Sequence, residues 1–118
     1  MKLTNQTAFN KIYNYFIFKK NKQCINEYGA CAYRAGKLKC AVGVLIPSKK
    51  YVVEMEDMKL ETLIEEYFPV EWNKLNINLL ADLQNTHDSR IDWSNGVLKK
   101  ASLEELAKEY DLTIPKEK

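Results

Sequence analysis

Apolar residues recur at helical spacing in four stretches of the chain and run together in a fifth. Phe9, Ile12, Tyr13 and Phe16 follow Thr4-Asn5-Gln6-Thr7, which offers several candidate N-caps. The spacing predicts an amphipathic helix ending near Lys19-Lys20-Asn21, where cations suit the negative end of the helix dipole. Its aromatic stripe reads as core. Leu60, Leu63, Ile64 and Tyr67 mark a second helix, which Asp57 can cap and Pro69 stops. Trp72, Leu75, Leu79, Leu80 and Leu83 mark a third, and His87 continues its stripe. Leu103, Leu106, Ala107 and Tyr110 mark a fourth, with Ser102-Leu-Glu-Glu105 in front of it in the form of a capping box. Asp92 to Gly96 reads as a turn.

The fifth stretch, Cys31 to Ile46, is the one around which the rest is arranged. Ala35-Gly36 reads as a two-residue turn, pairing Arg34 with Lys37, Tyr33 with Leu38 and Cys31 with Cys40. Alternation then places Leu38, Cys40, Val42, Val44 and Ile46 on one face, and the valines and isoleucine favour a strand. The rival is a short buried helix over Cys40–Ile46, since Ala-Val-Gly-Val is small enough for close packing. Periodicity alone does not decide a run this short, and Pro47 ends it either way. The expected architecture is α+β, predominantly helical, with a short central β-hairpin. It forms one domain over residues 1–118, with 1–3 and 115–118 as frayed ends.

Charge changes this picture more than composition does. The net charge of +2 hides ten lysines and arginines against one acid in residues 1–53, and eight against fifteen in residues 54–118. Either the basic half faces an anionic partner or the two halves neutralise each other across ion pairs. No stretch resembles a secretory signal or a membrane span, and three cysteines without a close pair fit a reducing compartment. A cytoplasmic setting inside a host cell is expected, with no membrane partner and no cofactor. The apolar helix faces serve a core and a homo-oligomer interface equally well.

Three constellations carry candidate chemistry. Cys31, Cys40, His87 and Asp88 form the first, with Cys24 and Asp92 in reserve; the cysteine pair and the histidine have zinc-ligand residue types, although the spacing matches no short zinc knuckle. The same atoms allow a thiol nucleophile, with Cys40 attacking, His87 as base and Asp88 or Asp92 orienting the ring. Burial in an apolar run works against it by raising a thiol pKa. The third is a basic tip: Arg34, Lys37 and Lys39, beside Tyr33 and near Lys49-Lys50, which can hold a phosphate and stack a base. Sequence-specific duplex DNA binding is not expected, because no helix joins a basic face to base-reading side chains. Phosphate-cradling glycine loops are absent.

Cys31-Ala-Tyr33-Arg34, Gly36, Lys39-Cys40-Ala41-Val42-Gly43, Leu45-Ile46-Pro47 and Tyr51 resemble a block found in a family of short tailed-phage and prophage proteins to which no reaction is assigned. Leu83-Gln84 with His87-Asp88 is similar to a second block, and Trp93 with Leu106-Ala107, Tyr110 and Leu112 to a third. The chain departs in a shorter Ala35–Leu38 connection and in Glu56-Asp57 where Glu-Gly is common. The resemblance implies an accessory role, such as a counter-defence inhibitor or ligand sponge, and brings no catalytic residue with it. The expected function is therefore binding rather than turnover. The partner would be a nucleotide-like anion, a nucleic acid or an acidic host protein, held by Tyr33, Arg34, Lys37 and Lys39. The alternative is a thiol enzyme or zinc protein using Cys40 and His87.

Overall fold

Thr4 opens the first helix, as the pattern predicts. Thr4 N–H donates to Thr7 Oγ1 at 2.9 Å and Thr7 N–H donates to Thr4 Oγ1 at 3.1 Å, a reciprocal cap on α1 (Asn5–Tyr13). In the computed structural model, which describes residues 3–26, 28, 29 and 31–117, the helix widens beyond Tyr13 into a π turn over Asn14–Phe18. Lys20 then leaves in the left-handed region at φ 54°. Phe9, Ile12, Tyr13 and Phe16 are all buried, so the aromatic stripe is core.

The central hairpin is real, but its pairing is shifted by two residues from the expected register. β1 (Arg34–Ala35) and β2 (Leu38–Lys39) pair Arg34 with Lys39 and Ala35 with Leu38, around Gly36-Lys37. The cause is the turn itself. Gly36 takes φ 63° at the first turn position, which an alanine there would resist, so the turn centres one residue later than expected. Tyr33 now lies opposite Cys40, whose N–H donates to Tyr33 O at 3.1 Å, and Cys31 bridges to Ile25 rather than to Cys40. The apolar run is a helix, α2 (Ala41–Leu45), not a strand. Cys40 caps it through Sγ, which accepts from Gly43 N–H at 3.3 Å. Alanine and glycine let this short turn of helix lie against the hairpin where longer side chains would hold it off.

A 3-10 turn over Val53–Asp57 leads to α3 (Leu60–Tyr67), whose N-cap is Lys59 rather than Asp57. Trp72 stacks on Phe68 at 4.3 Å, in turns that precede α4 (Ile77–Asp88), so the third predicted helix begins later than its apolar stripe. After a 3-10 turn over Arg90–Asp92, β3 (Trp93–Ser94) and β4 (Val97–Leu98) make a second hairpin about Asn95-Gly96, with φ 54° and 78°. Two left-handed residues in a row are the type I′ geometry that Asn-Gly favours. α5 (Lys100–Glu109) starts ahead of Ser102, and the capping box is not formed. Asp92 takes its place: its carbonyl accepts from Lys99 N–H at 2.7 Å and its Oδ1 from Ser102 Oγ at 2.6 Å.

The protein is thus α+β and mostly helical. α4 packs against α2, α3 and α5, and α1 closes over α2. Leu3 N–H donates to Glu71 O at 2.9 Å, and Pro115 is half-buried. Positions 1, 2 and 118 lie outside the described residues. Gln6 joins both ends of the chain: its Nε2 donates to Thr113 O at 2.8 Å, and its Oε1 accepts from Thr113 N–H at 2.9 Å. No helix among the described residues is long and apolar enough to cross a membrane.

Candidate functional site

Residues 84, 87 and 88 share one face of α4, because positions three and four apart on a helix are neighbours. That face meets the Cys24–Cys40 region. Val42 N–H, an orphan donor of the first turn of α2, donates to Gln84 Oε1 at 3.0 Å, and Gln84 Nε2 donates to Asp88 Oδ1 at 3.0 Å. His87 Nδ1 lies 2.7 Å from the same carboxylate oxygen, and Cys24 N–H donates to His87 Nε2 at 3.0 Å. The His87 carbonyl accepts from Gln23 Nε2 and from Trp93 Nε1, each at 2.8 Å. His87 is 0% exposed and its ring meets Phe16 and Trp93.

A peptide N–H can only donate, so His87 Nε2 must present its lone pair to Cys24. The proton of the neutral ring then sits on Nδ1 and points at Asp88. Burial works to raise the Asp88 carboxyl, but hydrogen bonds from His87, Cys31 and Gln84 outweigh it and hold it below the ordinary carboxylate range. Asp88 is the acceptor on which these donors converge. The result is a polar network that ties α2, α4 and the Cys24 segment together.

The same bookkeeping decides what the cluster can do chemically. Cys31, His87 and Asp88 bring ligand atoms within 4.8 Å of one another, a trio of zinc-compatible types. Cys40, placed in that set from the sequence, is turned to Gly43 N–H instead. With one ring nitrogen protonated and the other accepting from Cys24, however, His87 has no lone pair left for a metal or for a thiol proton. The thiols are equally muted. Burial first, then the Asp88 carboxylate, pushes Cys31 up to about 11, and burial pushes Cys40 up to about 12. Cys31 is the exposed member, so an electrophile at pH 7.5 should label it about tenfold or more slowly than free cysteine. Cys24 and Cys40 should react only after denaturation. Labelling of Cys40 in the folded protein at the rate of free cysteine would restore the nucleophile reading.

Tyr33 and Arg34, assigned together to a basic tip, part company here. A cavity of about 190 Å³ lies beside the network, lined by Cys31, Ala32, Tyr33, Glu56, Met58, Gln84 and Asp88. Tyr33 Oη donates to Met58 O at 2.9 Å. Burial pushes its phenol up to about 12, helped by Cys40, Glu56, Asp88 and Glu61. Its ring therefore stands among carboxylates, a poor place for an anion. Glu56 is held by Tyr33 N–H at 2.8 Å, Arg34 N–H at 3.0 Å and Tyr51 Oη, so it pins the hairpin to the 3-10 turn that follows α2. Arg34 turns its guanidinium onto the end of α2, to Ile46 O at 2.6 Å and Ser48 Oγ at 3.1 Å, with its charge over the Tyr51 ring.

Lys37 is exposed at the turn, and Lys39 is half-buried opposite Arg34 in the hairpin. Lys39 N–H donates to Tyr15 Oη at 3.0 Å, which seats β2 on the π turn and brings Lys39 towards Lys19. Burial, then Arg34 and Lys19, holds the Lys39 ammonium below the usual lysine value. Among the described residues, the lysine or arginine paired with a carboxylate within 4.0 Å is Lys50, on Glu71 at 2.7 Å. That pair joins the basic half to the acidic half, and among the described residues the other lysines and arginines of the basic half have no carboxylate within 4.0 Å.

No protein-family model matches this chain, and no curated protein or solved structure does either.

Sequence reasoning missed Glu56, Gln84 and Lys19. Gln84 sits in the His87-Asp88 block, and its position on the face of α4 was a usable signal. Glu56 had none, because two of its three partners are backbone N–H groups brought together by the fold.

Proposed function

We propose that the protein is a phage accessory protein that works by binding, and that its basic hairpin face holds an anionic partner. Lys37, Lys39 and Lys19 supply the charge, while Arg34, directly across from Lys39, ties the hairpin to the end of α2 and adds its positive potential. The observation that carries this is the position of Lys39. Burial first, then its neighbours Arg34 and Lys19, disfavours its charged form, and no carboxylate among the described residues is paired with it. Charge gathered this way costs the fold free energy and is relieved by an arriving anion. The resemblance of the Cys31–Tyr51 and Leu83–Asp88 stretches to phage proteins supports an accessory role, such as a counter-defence inhibitor or a sponge. The acidic lining of the Tyr33 cavity favours the hairpin face over that cavity as the anion site.

Thermal melts with inorganic tripolyphosphate test the proposal at low ionic strength, where screening is weak. A ligand at a hundredfold excess over its Kd adds about 2.7 kcal/mol, so a rise of several degrees is expected. Replacing Lys19, Lys37 and Lys39 together by alanine should remove that rise. An unchanged melt of the native protein, or an equal rise in the triple variant, overturns the assignment.

A further inference from the structure

A different concave site lies between the start of α1, the end of α2 and the turns that follow α3. Leu3 N–H donates to Glu71 O at 2.9 Å, which holds the start of α1 against those turns. Thr7 and Lys11 lie four residues apart on α1 and so project to the same side of it. The groove between these segments has a volume of about 420 Å³, within the range of small-molecule sites.

Burial sorts its lining into a floor and a mouth. Leu45, Phe68 and Trp72 are buried and form an apolar floor, in which the Phe68 and Trp72 rings stack at 4.3 Å. Lys11 and Lys50 are exposed and Glu71 is half-buried, so the charge sits at the mouth. Lys50 is already engaged: its Nζ lies 2.7 Å from Glu71 Oε2 and 5.8 Å from the centre of the Phe68 ring. That hydrogen bond holds the Glu71 carboxyl below the ordinary carboxylate range, so the pair stays closed at neutral pH. Lys11 has no carboxylate within 4.0 Å among the described residues. The mouth therefore carries two positive charges against one negative, and the unanswered one is Lys11. An apolar floor takes an apolar body, and a lone ammonium at its edge selects a negative head group.

We propose that this groove binds a small organic monoanion, its apolar body on Leu45, Phe68 and Trp72 and its carboxylate at Lys11. A cation of the same shape meets Lys11 with like charge, and a neutral one leaves the ammonium without a partner. The groove has no residue in common with Lys19, Lys37 and Lys39, so the proposal goes beyond the anion-binding hairpin and does not depend on it.

Indoleacetate tests this in the full chain, with indole, tryptamine and acetate as its neutral, cationic and tail-less counterparts. Each is titrated at neutral pH and followed by amide and indole NMR shifts. Indoleacetate is expected to bind with a Kd of about 1 mM or tighter, the scale for a ligand of its size. The shifts should centre on Leu3, Thr7, Phe68 and Trp72. Indole and tryptamine should bind about fivefold more weakly or worse, the worth of one exposed ion pair, and acetate should give no shift. Lys11→Glu, at an exposed position, should reverse the preference in favour of tryptamine and leave the melting temperature nearly unchanged. No shift with indoleacetate at about 10 mM overturns the proposal. So do equal binding of indole and indoleacetate, an unreversed preference in Lys11→Glu, or shifts that centre on Lys37 and Lys39.

Discussion

Gly43→Ala is expected to destabilise the fold by about 3 kcal/mol or more, a cost at the upper end for overpacking a tight interface. A methyl group built on Gly43 would stand 2.0 Å from the carbonyl oxygen of Tyr33 and 3.0 Å from its carbon. Both are backbone atoms, so no side-chain rotation relieves the clash. Moving the Tyr33 carbonyl away would break the bond from Cys40 N–H and with it the seat of α2 on the hairpin. Urea unfolding should show the loss as a midpoint lowered by about 1–2 M. A midpoint equal to that of the native protein would mean that α2 does not lie against Tyr33. Gly29 is the control: nothing stands within 4 Å of its added methyl, so Gly29→Ala carries only the strain of φ 80°, about 1 kcal/mol.

His87→Ala should cost as much or more, about 3–5 kcal/mol, which is a large share of the stability of a domain of this size. Three losses combine. Cys24 N–H is left without an acceptor in a buried site, Asp88 loses a donor, and a cavity opens against Phe16 and Trp93. The mechanism has its own check, independent of stability. Nitrogen-detected NMR of the folded protein at neutral pH should report a neutral ring with the proton on Nδ1. A proton on Nε2 would contradict the bond from Cys24 and free Nδ1 for a metal.

The helices were legible because their apolar stripes are long and their partners local: Thr4 caps α1 from the adjacent residues, and the stripe on α4 runs into His87. The central stretch was harder. Cys40–Ile46 is as apolar as a buried strand, and what makes it a helix is a contact with Tyr33 that only the folded chain supplies. The hairpin register turned on one residue, Gly36, whose conformational freedom outweighs the alternation pattern. Asn95-Gly96 was a clear hairpin signal hidden by strands too short to show alternation. In the site, residue types pointed to zinc or thiol chemistry, and the deciding partner was the backbone N–H of Cys24. A main-chain donor carries no sequence signature. The basic character of the N-terminal half was plain from composition, whereas the separation of Tyr33 from Lys37 and Lys39 needed the coordinates.

The clasp between Gln6 and Thr113 spans 107 residues of sequence, which has a consequence for how the protein is made. At a synthesis rate of about 5–20 residues per second, about 5–20 s separate the appearance of one partner from that of the other. Within that interval α2 emerges early and can cover part of α1, whereas Phe16 in the π turn waits for His87 and Trp93. Part of the aromatic stripe is therefore made early and covered late.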